Sequence, residues 1–341
     1  MANTGRMLTT AQAAHRMGVS TGAVTYYIRK GVLPARETPG GHYRIEEAEL
    51  EAFLARQGHQ QEDTARIIVM TNQKGGVGKT TLTINLAVLL WQLDQRVLII
   101  DLDPQAHATF SLGLNPDTVD YTIYDAMLNE RNVDWSRLIR PTAFGPAIAP
   151  INIIATNADR DLSRLPTWGT CLDNVLEHIR DQFDYILIDT GPSLNNLLVN
   201  ALIAADYVVI PTQLEMLSVR GLQLLRERID EARASANPSL QIAGVVAMMV
   251  QSVVADRTMG QALRQALGQQ IRVFQNPIPR SSAFKDVANE RSIMAYQHPR
   301  GEHTQAYRRL LAELLRVVGG PGREALARPE TATAADVAVA G

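Results

Sequence analysis

Short apolar runs alternate with segments of helical period from Ile67 onward. Continuous apolar strands separated by helices are typical of a parallel sheet that is covered on both faces. We therefore expect an α/β fold, with a mostly parallel sheet and helices on both faces. The predicted strands are Arg66–Thr71, Val97–Asp101, Asn152–Ala155, Tyr185–Asp189, Tyr207–Thr212 and Ile242–Met249. The predicted helices are Thr80–Leu93, Thr170–Arg180, Leu194–Ala204 and Gly221–Ala234.

A different pattern precedes this region. Leu8–Ser20 is typical of a capped helix with a glycine turn, and Thr21–Lys30 is typical of a second helix. Turn residues Pro39-Gly-Gly41 between extended arms then predict a hairpin. We expect a small winged helix-turn-helix domain over residues 1–57, a polar linker over 58–65, a large domain over 66–318 and a disordered tail over 319–341.

Composition narrows the class of protein. The 341 residues are 46% hydrophobic and 20% charged, which is ordinary globular usage. A net charge of −2 excludes a polybasic coat protein but leaves room for a local basic face. Cys171 is the single cysteine, so the chain forms neither an internal disulfide nor a multi-thiolate metal site. No stretch approaches the ~20 apolar residues of a membrane span. We expect a cytoplasmic protein without a membrane segment.

A glycine-rich loop follows the first strand of the large domain. Its glycines allow the backbone to curl around phosphate oxygens, and the following helix adds its positive N-terminal end. Lys79 supplies a charge for the β- and γ-phosphates, and the Thr80 hydroxyl is placed for Mg²⁺. We expect ATP and Mg²⁺ as the ligands. The nucleotide-binding candidates are Lys74, Gly75, Gly76, Val77, Gly78, Lys79, Thr80 and Thr81.

The run Lys74-Gly-Gly-Val-Gly-Lys-Thr80 resembles the deviant P-loop of the ParA, MinD and nitrogenase-iron-protein ATPases. The resemblance covers roughly residues 66–318 and implies a P-loop NTPase-like fold. It also implies that Lys74 is the signature lysine, which reaches the partner's phosphates across an ATP-dependent homodimer. A second cation at the loop entrance neutralises developing charge without an arginine finger from another protein.

Two carboxylate motifs are similar to those of the same family. In Asp101-Leu-Asp-Pro-Gln105, the resemblance implies that Asp103 orients the attacking water and helps to bind Mg²⁺. In Phe183-Asp-Tyr-Ile-Leu-Ile-Asp-Thr-Gly-Pro192, it implies that Asp189 holds a Mg²⁺-bound water. The chain has Gly191-Pro192 where the family usually has Pro-Pro.

Three features separate the branches of the family. A lone Cys171 excludes the iron proteins, which need two cysteines per subunit. Thr304–Val318 has apolar residues at helical spacing, which fits either a MinD-like membrane helix or a helix that closes the sheet, and we favour the closing helix. Asn276–Val287 is similar to the end of ParA proteins, where Pro279 corresponds to a residue bordering the adenine. Ser281 replaces the usual Asn.

The N-terminal segment resembles a second family. Ala23–Pro34, together with Gly40-Gly-His-Tyr-Arg44, is similar to the winged DNA-binding domain of the MerR and excisionase group. Such a recognition helix presents side chains to base edges, and the wing lies near phosphates. The base-edge candidates are Thr21, Thr25 and Tyr26. The phosphate candidates are Tyr27, Arg29, Lys30, His42 and Arg44.

Together the two resemblances imply a ParA-type partition ATPase with its own operator-binding domain. ATP would drive a dimer that binds DNA non-specifically, and a ParB-type partner would stimulate hydrolysis to segregate a plasmid or chromosome. Autorepression of its operon and nucleoid association are further expectations. Two alternatives stay open, which are an ATP-regulated transcription factor without a segregation role and a MinD-like positioning ATPase.

Overall fold

The computed structural model describes residues 6–17, 21–29, 31–54, 64–213, 219–250, 271–280 and 293–322. The described residues form two sheets, whose apolar cores are separate. A three-stranded sheet lies in the N-terminal part, and a seven-stranded sheet lies in the large domain. Of the described helices, none is both long and apolar enough to cross a membrane.

The N-terminal sheet has the order β1-β3-β2 with antiparallel neighbours. Its elements are β1 (Met7–Thr9), α1 (Thr10–Met17), α2 (Thr21–Arg29), β2 (Arg36–Glu37), β3 (Tyr43–Glu46) and α3 (residues 47–54). Its small core buries Leu8, Val24, Leu33, Ile45, Leu50 and Phe53. The hairpin turn is as predicted, because Thr38 donates its N–H to the carbonyl of His42 and Gly41 has a φ of +75°.

The strand β1 was not predicted from the sequence. Leu8 was expected in the first helix, but the helix begins at Thr10. The reason is local capping. The Thr9 hydroxyl accepts the Gln12 N–H at 3.1 Å, and the Gln12 side chain accepts the Thr9 N–H at 2.9 Å, which fixes the helix start after Thr9.

The seven-stranded sheet of the large domain has the order β10-β9-β8-β4-β7-β5-β6, and all of its paired strands are parallel. This confirms the expected α/β fold. Its strands are β4 (Arg66–Met70), β5 (Val97–Leu102), β6 (Ala147–Ala149), β7 (Tyr185–Thr190), β8 (Tyr207–Gln213), β9 (Gln241–Val250) and β10 (Ile278–Pro279).

Helices and two 3-10 turns, Ile153–Asn157 and Arg180–Gln182, connect these strands. The described helices are α4 (Lys79–Trp91), α5 (His107–Ser111), α6 (Ile123–Leu128), α7 (Trp135–Leu138), α8 (Ala158–Leu162), α9 (Cys171–Leu176), α10 (Asn196–Ala204), α11 (Val219–Ser235), α12 (Met294–Gln297) and α13 (Glu302–Val318).

Side chains of the central strand alternate between two cores, one on each face of the sheet. Ile67 and Val69 of β4 pack with α9, α10 and α11, whereas Ile68 and Met70 pack with α4 and α13. The alternation follows from the two-residue period of a strand. Both faces are therefore covered, and polar side chains of the sheet can collect only at the ends of its strands.

The predicted strand Asn152–Ala155 is wrong. This segment forms a 3-10 turn in which the Asn152 side chain accepts the N–H of Ile154 at 3.1 Å. Ile153 and Ile154, which suggested a buried strand, are more than half exposed. The strand next to β5 is instead β6, which is only three residues long. The predicted helix Thr170–Arg180 is also shorter, because α9 ends at Leu176.

The last described helix closes the sheet. Leu310, Leu311, Leu314 and Leu315 of α13 are buried in the same core as α4, so its apolar face is packed inside the domain. This confirms the closing-helix interpretation of Thr304–Val318. The chain stays packed beyond the helix, since the Tyr185 hydroxyl donates to the carbonyls of Gly319 and Pro321 at 3.2 and 2.7 Å.

Candidate functional site

The glycine-rich loop lies between the end of β4 and the start of α4. Gly76 and Gly78 have φ values of +73° and +91°, which favour glycine, and Gly78 is the N-cap of α4. A Cβ added at Gly75 or Gly76 would meet no atom within 4 Å, so the loop faces open space there. Strand, loop and helix N-terminus have the arrangement that binds phosphate in other proteins.

Lys79 lies inside this loop and is only 6% exposed. Its Nζ donates to the carbonyls of Asn72 and Lys74, each at 3.2 Å. Burial lowers the pKa of Lys79, and the nearby carboxylates of Asp189 and Asp103 oppose that shift. The loop therefore holds a buried cation whose present partners are neutral carbonyls.

Thr80 and Asp189 are joined directly. The Thr80 hydroxyl donates to Asp189 Oδ2 at 2.6 Å, and Asp189 is fully buried at the end of β7. The sheet register explains this meeting, because Met70 of β4 pairs with Asp189. Burial raises the pKa of Asp189 well above its usual value, and the Asp101 carboxylate adds to the rise.

Asp101 and Asp103 lie at the end of the next strand, and they have different surroundings. Asp101 is fully buried and accepts the N–H and the hydroxyl of Thr109, both at 2.8 Å, and the N–H of Asp103 at 3.1 Å. Burial raises the pKa of Asp101 to about 6, although the Thr109 bonds favour its charged form. Asp103 is 7% exposed and accepts the Gln105 N–H at 3.0 Å.

Two further side chains fix the loop to β8, and sequence reasoning missed both. The Asn72 amide donates to the carbonyl of Pro211 at 2.8 Å, and its oxygen accepts the Lys74 N–H at 3.1 Å. The Gln213 amide donates to the carbonyl of Gly76 at 2.9 Å. Their signal in the sequence is position, since each follows a predicted parallel strand, and such strand ends meet at one edge of the sheet.

The remaining nucleotide candidates are more dispersed. Val77 is buried under the loop, and the carbonyl of Thr81 accepts from the Asn85 side chain at 2.8 Å. Pro279 lies on the edge strand β10 beside Val250, three strands away from β4 in the sheet. Its contact with adenine stays a prediction, and Ser281 lies outside the described residues.

The helix candidates for DNA contact lie on α2. Thr21 and Arg29 are exposed, and the Thr25 hydroxyl donates to the carbonyl of Thr21 at 3.0 Å. Tyr27 is half-buried, with its ring centroid 5.1 Å from that of Phe53, so it helps to build the small core. The side chain of Tyr26 and the whole of Lys30 lie outside the described residues.

The wing brings together basic side chains. Arg44 of β3 pairs across the sheet with Arg36 of β2, and His42 is exposed at the adjoining turn. Arg36 forms an ion pair with Glu46 at 2.7 Å, while Arg44 donates to the carbonyl of Tyr43. Arg36 was not among the predicted contacts, although it faces Arg44. Like charges directly opposite each other on a sheet are destabilising, and Glu46 compensates one of the two here.

Comparison with known proteins follows the same division of the chain. Residues 65–242 match the family described as AAA domain, and residues 7–58 match the family described as helix-turn-helix domain. The chromosome-partitioning ATPase Soj of Thermus thermophilus is 35% identical over 253 residues, which are 73% of this chain and 95% of that protein. The chain belongs to the ParA/Soj family of ATPases.

Solved structures share the fold of the large domain, and one of them is a partition protein. Cobyrinic acid a,c-diamide synthase from Mycobacterium smegmatis, solved with an ATP analogue and magnesium, is 30% identical with a TM-score of 0.66, over 74% of this chain and 94% of that one. A plasmid partition protein of Borrelia burgdorferi, bound to AMPPNP, is 26% identical with a TM-score of 0.62. The match covers 74% of this chain and 99% of that one. The family relatives support a role in partition and a P-loop ATPase, with ATP and Mg²⁺ as its ligands.

Proposed function

We propose that this chain is a Mg²⁺-dependent partition ATPase that dimerises on ATP and binds DNA in two ways. The observation that carries the proposal is the meeting of Lys79, Thr80, Asp189 and Asp103 at one edge of the parallel sheet, in a chain that also has a helix-turn-helix domain. The ATP phosphates would lie along the loop from Lys74 to Thr81. Pro279 would border the adenine.

The polar groups at this edge fit Mg²⁺. Thr80, Asp103 and Asp189 offer oxygen atoms only, which Mg²⁺ prefers. Within the described part of the chain, no three His, Cys, Asp or Glu side chains form a complete cation cage. Substrate phosphates and water would therefore complete the coordination, as is usual for this ion. When bound, Mg²⁺ neutralises charge that develops on the phosphates.

The residues of the loop would have separate tasks. Lys79 would exchange its two carbonyl partners for phosphate oxygens. A hydrogen bond between two charged groups is stronger than one from a charged group to a neutral carbonyl. Asp103 would orient the attacking water. Lys74 would act across the dimer on the partner's nucleotide, where a cation stabilises the charge of the transition state.

The N-terminal module would read an operator and repress the operon of the protein. Thr21, Thr25 and Tyr26 would face base edges, and basic groups of the helix and wing would contact phosphates. Exposure of Thr21, Arg29 and His42 supports this assignment. Non-specific DNA binding would instead belong to the ATP-bound dimer, which a ParB-type partner would release by stimulating hydrolysis. Nucleoid association follows from that binding.

A transcription factor without a segregation role is the second candidate, and the helix-turn-helix domain on the same chain favours it. The two functions differ in their binding to random DNA. A transcription factor would need only its operator, whereas a partition ATPase must also bind random DNA in an ATP-dependent way.

A mobility-shift experiment with random duplex DNA tests the proposal on the full chain. We expect the wild-type chain to shift this DNA only with ATP and Mg²⁺. Asp103→Ala should keep the DNA bound after the wild-type chain has turned over its ATP, because hydrolysis is blocked. Lys79→Ala should give no shift. The absence of any ATP-dependent shift with the wild-type chain would favour the transcription factor.

A further inference from the structure

Met249 is an extra residue in β9, next to the edge strand of the large sheet. Met248 pairs with Ile278 of β10 and Val250 pairs with Pro279, so two steps along β9 match one step along β10. Met249 lies between these pairs as a β-bulge, and its φ is +57°. This left-handed backbone is unfavourable for a residue with a long side chain. Bulges redirect side chains and are frequent next to active sites.

The bulge turns Met249 toward the phosphate loop. Neighbouring residues of a regular strand point to opposite faces of the sheet. Here both methionines reach the same point, because a Cβ built at Gly78, the N-cap of α4, would lie 3.0 Å from Met248 Cε and 3.7 Å from Met249 Cε. Met249 is also 39% exposed. The unfavourable backbone therefore brings an accessible thioether to the loop.

The Met249 thioether fixes the side-chain amide of Gln213. The nitrogen of a glutamine amide has two N–H donors. This one donates to the carbonyl of Gly76 at 2.9 Å and to Met249 Sδ. Two donors thus meet two acceptors, so the amide cannot rotate without losing a partner.

The bond to Gly76 sets the direction of the next N–H in the loop. The carbonyl of Gly76 and the N–H of Val77 belong to one peptide unit, and in a trans unit they point in opposite directions. No peptide bond of the described residues is cis. Because the Gly76 carbonyl points to Gln213 at the end of β8, the Val77 N–H points away from β8. Val77 is buried, and none of the described residues accepts its N–H, which is therefore available to a phosphate oxygen.

We propose that Met249 is a positioning residue for phosphate recognition, which acts on the Val77 N–H through Gln213 and Gly76. The inference rests on the proposed function, because it requires ATP phosphates at the loop. The Val77 N–H is held in the same direction before and during the chemical step. Met249 and Gln213 therefore control the affinity for ATP and not the rate of hydrolysis.

Two substitutions at position 249 separate a hydrogen-bond acceptor from an apolar packing group. Met249→Gln keeps an unbranched side chain with an acceptor, whereas Met249→Leu keeps the apolar character and lacks the acceptor. In calorimetry with ATP and Mg²⁺, we expect a Kd about fourfold higher for Met249→Leu and within about 1.5-fold of the wild type for Met249→Gln. If Met249 only packed against the N-terminus of α4, leucine would be tolerated and glutamine would not. That order of affinities would overturn the proposal.

A double-mutant cycle in the full chain tests the path through Gln213. Gln213→Leu removes both hydrogen bonds and should raise the Kd for ATP about tenfold. Met249→Leu should then add less than about 1.5-fold in the Gln213→Leu background, because the group on which it acts is gone. The matched control is Gln95→Leu, which removes an amide bond to the carbonyl of Leu93 outside the loop. It should leave the Kd within about 1.5-fold of the wild type.

Steady-state kinetics complete the test. KM should rise in step with the Kd in the Met249→Leu and Gln213→Leu variants, and kcat should stay within about twofold. A full, independent effect of Met249→Leu in both backgrounds, or a loss of kcat without a change in KM, would overturn the proposal. A wild-type chain that binds no ATP would overturn the proposed function itself, which is a different outcome from independent effects in a chain that binds ATP.

Discussion

The nucleotide site and the N-terminal module hold their charged side chains in different ways. At the nucleotide site Lys79, Asp101 and Asp189 are buried, and each is bonded within the site. In the module Arg29 and Arg36 are exposed. A buried charge depends on every partner around it, whereas an exposed charge is screened by water and salt. Substitutions should therefore have large effects at the first region and small, salt-dependent effects at the second.

The largest effect is expected from Lys79→Ala. The variant removes the cation that the loop places for phosphate, and a lost hydrogen bond between charged groups costs about 1.5–3 kcal/mol. With more than one phosphate oxygen involved, the ATP affinity in calorimetry should fall by roughly a hundredfold or more. Unchanged affinity would remove the phosphate-site assignment.

Lys74→Ala should separate binding from hydrolysis at the same loop. A cation that acts across the dimer contributes to the transition state more than to the first binding event. We expect calorimetric ATP affinity to survive and steady-state ATPase activity to be lost. A loss of ATP affinity as large as that of Lys79→Ala would contradict the role across the dimer.

Thr109→Val should reveal the buried network behind Asp103. The Thr109 hydroxyl donates to Asp101 and accepts the N–H of Ile151 at 3.1 Å, so valine leaves both without this partner. Asp101 keeps the N–H donors of Thr109 and Asp103, whereas the Ile151 N–H loses its acceptor. A buried polar group without a partner costs about 1–3 kcal/mol. Urea unfolding should show a loss of this size. The exposed control Thr118→Val, whose hydroxyl donates to the carbonyl of Asn115, should lose less than about 0.5 kcal/mol.

The smallest effect is expected in the wing. Arg44→Ala should weaken operator binding and lower the slope of log affinity against log salt by about one, because one phosphate contact is lost. Fluorescence anisotropy at several salt concentrations measures the slope. Arg131→Ala, which removes an exposed arginine of the large domain, is the control and should keep the wild-type slope. An unchanged slope in Arg44→Ala would exclude this phosphate contact.

The contrast between the nucleotide site and the N-terminal module also explains which features the sequence predicts. The carboxyl ends of parallel strands lie at one edge of the sheet. The contact between Thr80 and Asp189 could therefore be predicted from the order of motifs along the chain. Strand register and burial determine the other contacts of the site. Asn72 and Gln213 each bond to a residue more than a hundred positions away along the chain. Their place after predicted strands puts them at the right edge of the sheet, but it does not identify their partners.

Short or exposed segments were predicted wrongly, or not at all, for a related reason. The strands β6 and β10 have three and two residues, which is too short to show a period of two. Ile153 and Ile154 form an apolar pair that the structure leaves exposed. In the module, Tyr27 has a ring suited to either a core or a DNA contact, and only its packing on Phe53 distinguishes them.

The ties of the phosphate loop to β8 have an entropic consequence. Asn72 and Gln213 hold the loop from both ends, and Lys79 bonds its carbonyls from within. A loop that is already shaped loses little conformational freedom when its ligand arrives, so less of the interaction energy is spent on ordering it. Preorganisation of this kind raises the affinity for phosphates that ATP and ADP share. We therefore expect the difference between the two nucleotides to be sensed beyond the loop, by the carboxylates at the neighbouring strand ends.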